Sequence, residues 1–182
     1  MTDLSISHEA RRLTEQEREQ FQQWGYVKNL PVFDHAAVPV LQDRFRDLHA
    51  LLPASTDMSR VNNWHKANRW VYDLCRTPAI LDYVEDLLGT NFFQWGAHIF
   101  AKFPGDGSEV PWHQDAQYWP LQPQQAVTVW LAFFDTDESN GAMRVVRGSH
   151  RAGVIQHHTV HGDQYVLSQQ ADPDAIKPDE VV

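Results

Sequence analysis

The spacing of apolar residues changes near the middle of this chain, and that change constrains its fold more than any other feature. In the first half they recur every three or four positions, as at Val38, Leu41 and Phe45, which is the spacing of an amphipathic helix. In the second half they form short runs such as residues 126–134, which are rich in Val, Thr, Trp and Phe and favour a strand. The order predicts a mostly β core beneath a helical cover.

Turn and capping residues set the expected element boundaries. Thr14 and Glu17 form a capping box for a first helix, which should end at Gly25. Three helices are predicted, between Thr14 and Gly25, between Asp34 and Pro53, and between Thr77 and Gly89. Strands are predicted at residues 92–103, 126–134 and 142–146, with turns at 104–107 and 137–141.

Composition narrows the class of protein. The chain has 182 residues, 15 basic against 24 acidic side chains and a formal net charge of −9. It has no stripe of Lys and Arg, which argues against a nucleic-acid partner. Residues 1–23 are polar and charged, so neither a signal peptide nor a membrane partner is predicted. The single cysteine, Cys75, fits a reducing compartment, and we expect a cytoplasmic protein.

Candidate metal chemistry is concentrated in Trp112-His113-Gln114-Asp115. Residues two apart on an extended segment point to the same face, so His113 and Asp115 could hold one ion. An imidazole, a carboxylate and one further histidine leave three positions open on octahedral iron. The spacing alone is not specific, because His161-Gly162-Asp163 repeats it and either pair could be polar residues of a surface turn.

Sequence context separates the two pairs, because the first one stands within an ordered series of short elements. These elements are Leu13 to Gln16, Phe21, Gly25 to Val27, Thr77 to Leu81, Leu88-Gly89, Phe100 to Gly105, Pro111 to Asp115, Tyr118 to Pro120, Trp130, Asn140-Gly141 and Arg147 to His150. In this order and spacing the chain resembles the phytanoyl-CoA dioxygenase family over nearly its full length.

The resemblance implies a mainly β fold, a double-stranded β-helix (a cupin-like jelly roll) with an N-terminal helical layer. It implies a single domain over residues 1–182, with a helical part at 1–90 and a β core at 91–182 that lacks its C-terminal strands. It also implies that His113 and Asp115 bind Fe(II), with 2-oxoglutarate as cosubstrate and O2 as oxidant.

A cosubstrate pocket is implied as well. Lys102 lies where the family often keeps a lysine near 2-oxoglutarate, and Trp130 where it places an aromatic ring against the cosubstrate. His98 would share a strand face with Lys102, and Arg60 resembles a basic residue that can contribute to this pocket. Each has an ordinary alternative, because lysines near strand ends usually face solvent and strand tryptophans are usually core residues.

Two further family elements are not found downstream of Asp115. The family has a distal histidine and, shortly after it, an arginine that pairs with the far carboxylate of 2-oxoglutarate. No arginine follows Arg151, and His157, His158 and His161 come too early. We therefore expect a truncated portion of a longer enzyme, or a degenerate copy.

Three functions stay open from the sequence. The leading one is an Fe(II)/2-oxoglutarate-dependent dioxygenase that hydroxylates a small organic molecule and decarboxylates 2-oxoglutarate to succinate. Asp115 favours hydroxylation, because halogenases of the superfamily replace this carboxylate by a small residue. The alternative is a catalytically inactive fragment or binding module that lacks the distal ligand. A third is a hydrolase with zinc at His157, His158 and His161.

Overall fold

A computed structural model describes residues 4–105, 107–119, 121–123 and 125–182. The α-helices are α1 (Glu15–Trp24), α2 (Val38–Ala50), α3 (Trp64–Ala67), α4 (Arg69–Cys75) and α5 (Pro78–Leu88), and the strands are β1 (His157–Thr159) and β2 (Gln169–Ala171). The two strands pair antiparallel, with His158 opposite Gln170. Asp106 of the predicted 104–107 turn, and Pro120, lie outside the described residues.

The three predicted helices are confirmed as α1, α2 and α5. Gly25 and Gly89 follow α1 and α5 with φ angles of 83° and 79°, a conformation that glycine adopts without steric cost. The helix predicted from Asp34 begins later, because a 3-10 helix at His35–Ala37 precedes α2. Helices α3 and α4 were not predicted, although Asn68 caps α4 by accepting from the backbone N–H of Val71 at 3.2 Å.

The prediction of a mainly β, jelly-roll core is wrong. Within the described ranges, the only strands are β1 and β2, of three residues each. Residues 92–103 and 142–146 contribute isolated bridges, Asn62–His98 and Val146–Val181. Period-two patterning decides which side chains face inward, but a strand also needs a neighbouring backbone that accepts and donates hydrogen bonds. Residues 126–134 have no such ladder in the described part of the chain.

The chain divides into two compact units. The first comprises the described residues of Met1–Thr14, Asn29–Ala101 and Val127–Asp137. Its helices bury two neighbouring groups of side chains. One group is Leu4, Ala37, Leu41 and Leu74, and the other is Leu48, Met58, Trp64 and Val71. Leu131 and Phe133 of the predicted strand pack against the first group, so burial without sheet pairing satisfies their apolar side chains.

The second unit comprises the described residues of Glu15–Lys28, Lys102–Ala126 and Glu138–Val182. It contains α1, β1 and β2. The end of α1 is fixed by the segment 147–150, because Gly148 donates its N–H to the Trp24 carbonyl at 2.8 Å. The Arg147 guanidinium lies 5.0 Å from the centre of the Trp24 ring, and the His150 ring lies 3.0 Å from the Gln22 carbonyl oxygen. No described helix is both long and apolar enough to cross a membrane.

Candidate metal site

The backbone before His113 is fixed against the segment that leads into β2. Glu109 donates its N–H to the carbonyl of Gln164 at 2.8 Å and accepts from Val166 at 2.9 Å. Farther along, the Ala171 N–H donates to the Trp112 carbonyl at 2.7 Å. These bonds fix residues 109–112 against residues 164–171 and deliver His113 at a defined position.

The backbone at Gln114 turns the side chains of His113 and Asp115 to one side. Gln114 is extended, with φ −113° and ψ 132°, and Asp115 opens a 3-10 helix at Asp115–Gln117. The His113 Nε2 atom lies 3.4 Å from Asp115 Oδ1. Two ligands at right angles on an octahedral ion, each about 2.1 Å from it, lie about 3.0 Å apart. The pair therefore fits two adjacent positions around a divalent cation with a small adjustment.

A backbone carbonyl selects the ring tautomer of His113. Its Nδ1 atom lies 2.8 Å from the Pro111 carbonyl oxygen. A carbonyl oxygen only accepts, so Nδ1 carries the hydrogen and, in the neutral ring, Nε2 presents its lone pair towards Asp115. A lone pair facing a carboxylate is stabilised by a proton or a cation between them. Metal-binding histidines commonly have this arrangement, in which the second ring nitrogen donates to a backbone carbonyl.

The electrostatic environment of His113 agrees with that geometry. Burial acts to lower the pKa of His113, but the Asp115 carboxylate and the Pro111 carbonyl together outweigh burial, so the pKa is raised. The site thus favours positive charge at this position. Side chains of His113 and Asp115 remain 24% and 39% exposed, which leaves the pair reachable from solvent.

Tyr118 forms one wall beside the pair. Its ring meets the His113 ring edge to face, with centroids 6.1 Å apart and an interplanar angle of 74°. Its hydroxyl donates to the Gln169 carbonyl of β2 at 3.1 Å. Burial raises the pKa of Tyr118. The phenol is thus a fixed, neutral neighbour of His113.

Lys102 lies in the same unit as the metal pair. Its side chain passes over the turn at Asn140-Gly141, and a Cβ placed on Gly141 would lie 2.7 Å from Lys102 Cδ and 3.0 Å from Nζ. Gly141 has a φ angle of 87°, so both its conformation and its lack of a side chain suit this close approach. The lysine is exposed, and its role in binding cosubstrate stays a prediction.

The other three predicted pocket residues belong to the first unit. His98 bridges Asn62 and stacks on Phe100 with ring centroids 6.0 Å apart, so the two share one face as period two predicts. Arg60 pairs with Asp57 at 3.3 Å within a 3-10 helix. Trp130 is 42% exposed rather than a core residue. Their part in binding 2-oxoglutarate also stays a prediction.

The later histidines are distributed over separate contacts. His157 Nε2 lies 3.1 Å from the backbone nitrogen of Gln114, whereas the next residue, His158, pairs with Asp172 at 3.5 Å. His161 and Asp163 are exposed in the β1–β2 loop. No group of three or more His, Cys, Asp or Glu side chains is arranged to hold a metal among the residues described.

Sequence reasoning missed three contributors to the site. Gln114 was treated only as the spacer between two ligands, and His157 only as a zinc candidate. Neither residue type signals a supporting role, because that role depends on hydrogen bonds between segments about forty residues apart. The Pro111 carbonyl was missed for a different reason, since any residue supplies a carbonyl.

The sequence model of the phytanoyl-CoA dioxygenase family matches residues 21–180. That range includes both residues of the metal pair and most of the chain. The chain belongs to the phytanoyl-CoA dioxygenase family. The resemblance drawn from the short ordered elements is thereby confirmed.

Relatives of known name carry several dioxygenase and hydroxylase functions. The chain is 30% identical over 125 residues to a probable alpha-ketoglutarate-dependent hypophosphite dioxygenase of Stutzerimonas stutzeri, covering 68% of this chain and 43% of that protein. It is 30% identical over 111 residues to the peroxisomal phytanoyl-CoA dioxygenase of Bos taurus, covering 59% of this chain and 32% of that protein. It is 30% identical over 87 residues to an L-proline trans-4-hydroxylase of Streptomyces griseoviridis, covering 46% of this chain and 32% of that protein.

The aligned segments thus span less than half the length of these family members. No solved structure matches the chain. Family membership therefore rests on sequence, and the arrangement of His113 and Asp115 is a separate observation.

Proposed function

We propose that this chain forms part of an Fe(II)- and 2-oxoglutarate-dependent dioxygenase that hydroxylates a small molecule. The observation that carries the proposal is the convergence of His113 Nε2 and Asp115 Oδ1 at 3.4 Å. Support for the reaction class comes from the family and from relatives named as an alpha-ketoglutarate-dependent dioxygenase and a proline hydroxylase. The names of these relatives differ in substrate, so the substrate of this protein is left as a small molecule.

In this proposal His113 and Asp115 hold the iron. When bound, Fe(II) supplies the chemistry that couples O2 to the decarboxylation of 2-oxoglutarate, giving succinate and a hydroxylated product. The Asp115 carboxylate neutralises part of the cation charge. The Pro111 carbonyl orients the His113 ring and, in the neutral ring, leaves the lone pair on Nε2 for the metal. Two protein ligands on one edge leave the remaining coordination positions for cosubstrate and a further ligand.

Lys102 is the proposed partner for the charge of the cosubstrate. 2-Oxoglutarate carries two carboxylates, and an ammonium group on an otherwise acidic chain concentrates such an anion locally. The turn at Gly141 limits the path of the lysine side chain, which reduces the entropy lost when the ammonium group is fixed. Roles for His98, Arg60 and Trp130 in binding 2-oxoglutarate are proposed on the family resemblance alone.

A metal-binding module without turnover is the second candidate. The observation that favours it is that His113 and Asp115 form a pair rather than a triad within the described residues. Metal binding is common to both candidates, whereas succinate release is specific to the enzyme. The two are therefore separated by measuring binding and turnover on the same protein.

The test uses Mn(II) as an air-stable substitute for Fe(II). We expect weak Mn(II) binding, which is measured by water-proton relaxation. This binding should be lost in His113→Ala and in Asp115→Ala, because each substitution removes one of two ligands. Asp163→Ala is the matched control, since it removes the aspartate of the second His-x-Asp pair. Binding that survives His113→Ala, or that depends on Asp163, would overturn the site. Metal-dependent succinate release from 2-oxoglutarate would then decide between enzyme and binding module.

A further inference from the structure

Gln114, the residue between the two proposed ligands, is held by three hydrogen bonds to the segment 153–157. Its side-chain Nε2 donates to the Gly153 carbonyl at 2.9 Å, and its Oε1 accepts from the Ile155 N–H at 2.7 Å. Its backbone N–H points at His157 Nε2 at 3.1 Å. The amide side chain and the backbone of one residue are thus anchored to one short stretch of chain.

The ring of His157 can accept the Gln114 N–H in only one tautomer. Its Nδ1 lies 2.8 Å from the Ile155 carbonyl oxygen, which accepts and cannot donate. Nδ1 therefore carries the hydrogen, and Nε2 is left with the lone pair that the Gln114 N–H requires. His157 therefore forms a second link between Ile155 and Gln114, beside the direct bond from the Ile155 N–H to Gln114 Oε1.

We infer that Gln114 and His157 are positioning residues, which set the distance between His113 Nε2 and Asp115 Oδ1. This inference rests on the proposed function, since it concerns the same ligand pair. Both ligands are covalent neighbours of Gln114, so rotation of its backbone moves the two in opposite senses. Three anchors at 2.7–3.1 Å restrict that rotation and reduce the ordering that metal binding requires.

The neighbouring residue of β1 supplies a control. Side chains alternate along a strand, so His158 faces away from His157 and contacts Asp172 at 3.5 Å. A substitution at His158 replaces the same type of residue in the same strand, β1, which pairs with β2. It does not touch the Gln114 backbone.

The experiment measures Mn(II) affinity and thermal melting for the whole chain. His157→Phe keeps an aromatic ring but loses the nitrogen that accepts from the Gln114 N–H. We expect Mn(II) affinity to fall about tenfold, which is typical when a residue that orients a metal ligand is replaced. His157→Gln presents an oxygen near the former Nε2 and should restore affinity to within about threefold. His158→Phe should bind as the parent chain does. Equal affinities for His157→Phe and His158→Phe, or a His157→Gln that is as weak as His157→Phe, would overturn the inference.

A second pair of variants keeps the test decisive if His157→Phe does not fold. Gln114→Glu replaces the donor to Gly153 by an oxygen, whereas Gln117→Glu adds the same charge at a residue whose amide contacts Gln169 at 2.9 Å. We expect weaker Mn(II) binding for Gln114→Glu than for Gln117→Glu, and the reverse order would refute the positioning role. His113→Ala is titrated alongside. If His113→Ala binds Mn(II) as the parent chain does, the proposed function has failed. If His113→Ala loses Mn(II) binding but His157→Phe keeps the parent affinity, only the positioning role has failed.

Discussion

At the scale of single residues, the candidate metal pair shows how much of a site can depend on backbone groups. The sequence identifies His113 and Asp115, but their usable geometry comes from the Pro111 carbonyl and the extended conformation of Gln114. Neither contribution depends on a distinctive side chain. For this reason, substitutions around the pair that preserve the backbone course should be tolerated better than those that add a proline or a glycine.

Gly25 offers a prediction about close packing at the end of α1. A Cβ on Gly25 would lie 2.5 Å from His150 Nδ1, and the residue has a φ angle of 83°. Gly25→Ala therefore adds a clash to a conformation that itself costs an alanine about 1 kcal/mol or more. We expect a clear loss of unfolding free energy, about 2–3 kcal/mol, measured by urea denaturation.

Gly105 is the matched control for that substitution. It has the same φ angle of 83°, and nothing lies within 4 Å of its added Cβ. Gly105→Ala should therefore cost only the conformational part. Gly25→Ala should lose more unfolding free energy than Gly105→Ala, and adding His150→Ala to Gly25→Ala should recover that difference. A double variant with no recovery would show that the His150 ring is not the obstacle.

At the scale of elements, one buried carboxylate of α5 binds the N-terminal segment through two hydrogen bonds. Asp86 accepts from the Leu13 N–H and from the Arg12 side chain, both at 2.8 Å, and its side chain is only 5% exposed. Arg12 also contacts Asp82 at 3.1 Å. Asp82 is 48% exposed, and such surface ion pairs contribute little to stability.

The two aspartates should therefore differ in effect. Asp86→Ala leaves the Leu13 N–H unpaired beside a buried side chain, which costs about 1–3 kcal/mol, so the melting temperature should fall by several degrees. Asp82→Ala removes only an exposed ion pair, and its melting temperature should stay close to that of the parent chain. Equal melting temperatures for the two variants, by circular dichroism at 222 nm, would contradict this account.

At the scale of the whole molecule, exposed apolar side chains predict association. Phe93 and Trp95 are 72% and 45% exposed, and their rings lie 6.4 Å apart. Val129 and Trp130, in a segment without ladder pairing, are 48% and 42% exposed. Neighbouring exposed apolar groups favour self-association.

We expect the chain to associate reversibly, with a weight-average mass that rises with concentration in sedimentation equilibrium. Replacing both Phe93 and Trp95 by Gln should shift this rise to higher concentration, whereas replacing Tyr72, which is 37% exposed beside Arg69 and Arg76, should not. A parent chain that stays monomeric throughout the series would show that the exposed rings do not drive contact.

The sequence alone determined the features that depend on neighbours close along the chain. Helices α1, α2 and α5 followed from the spacing of apolar residues, and the ends of α1 and α5 followed from Gly25 and Gly89, because those interactions span at most a few residues. The shared side of His113 and Asp115 followed from the extended geometry of one residue. The family followed from short elements in a fixed order, and the matching family model confirmed it.

Only the tertiary structure decided the features that depend on distant partners. Alternating apolar residues at 126–134 predicted a strand, but a ladder requires a second backbone, and the segment instead packs Leu131 and Phe133 on helices. The sequence presents His157 only as a zinc candidate, whereas the fold places its ring against the Gln114 backbone. Local patterns fix the conformations that a segment prefers, whereas hydrogen-bond partners between segments are chosen by the packing of the chain as a whole.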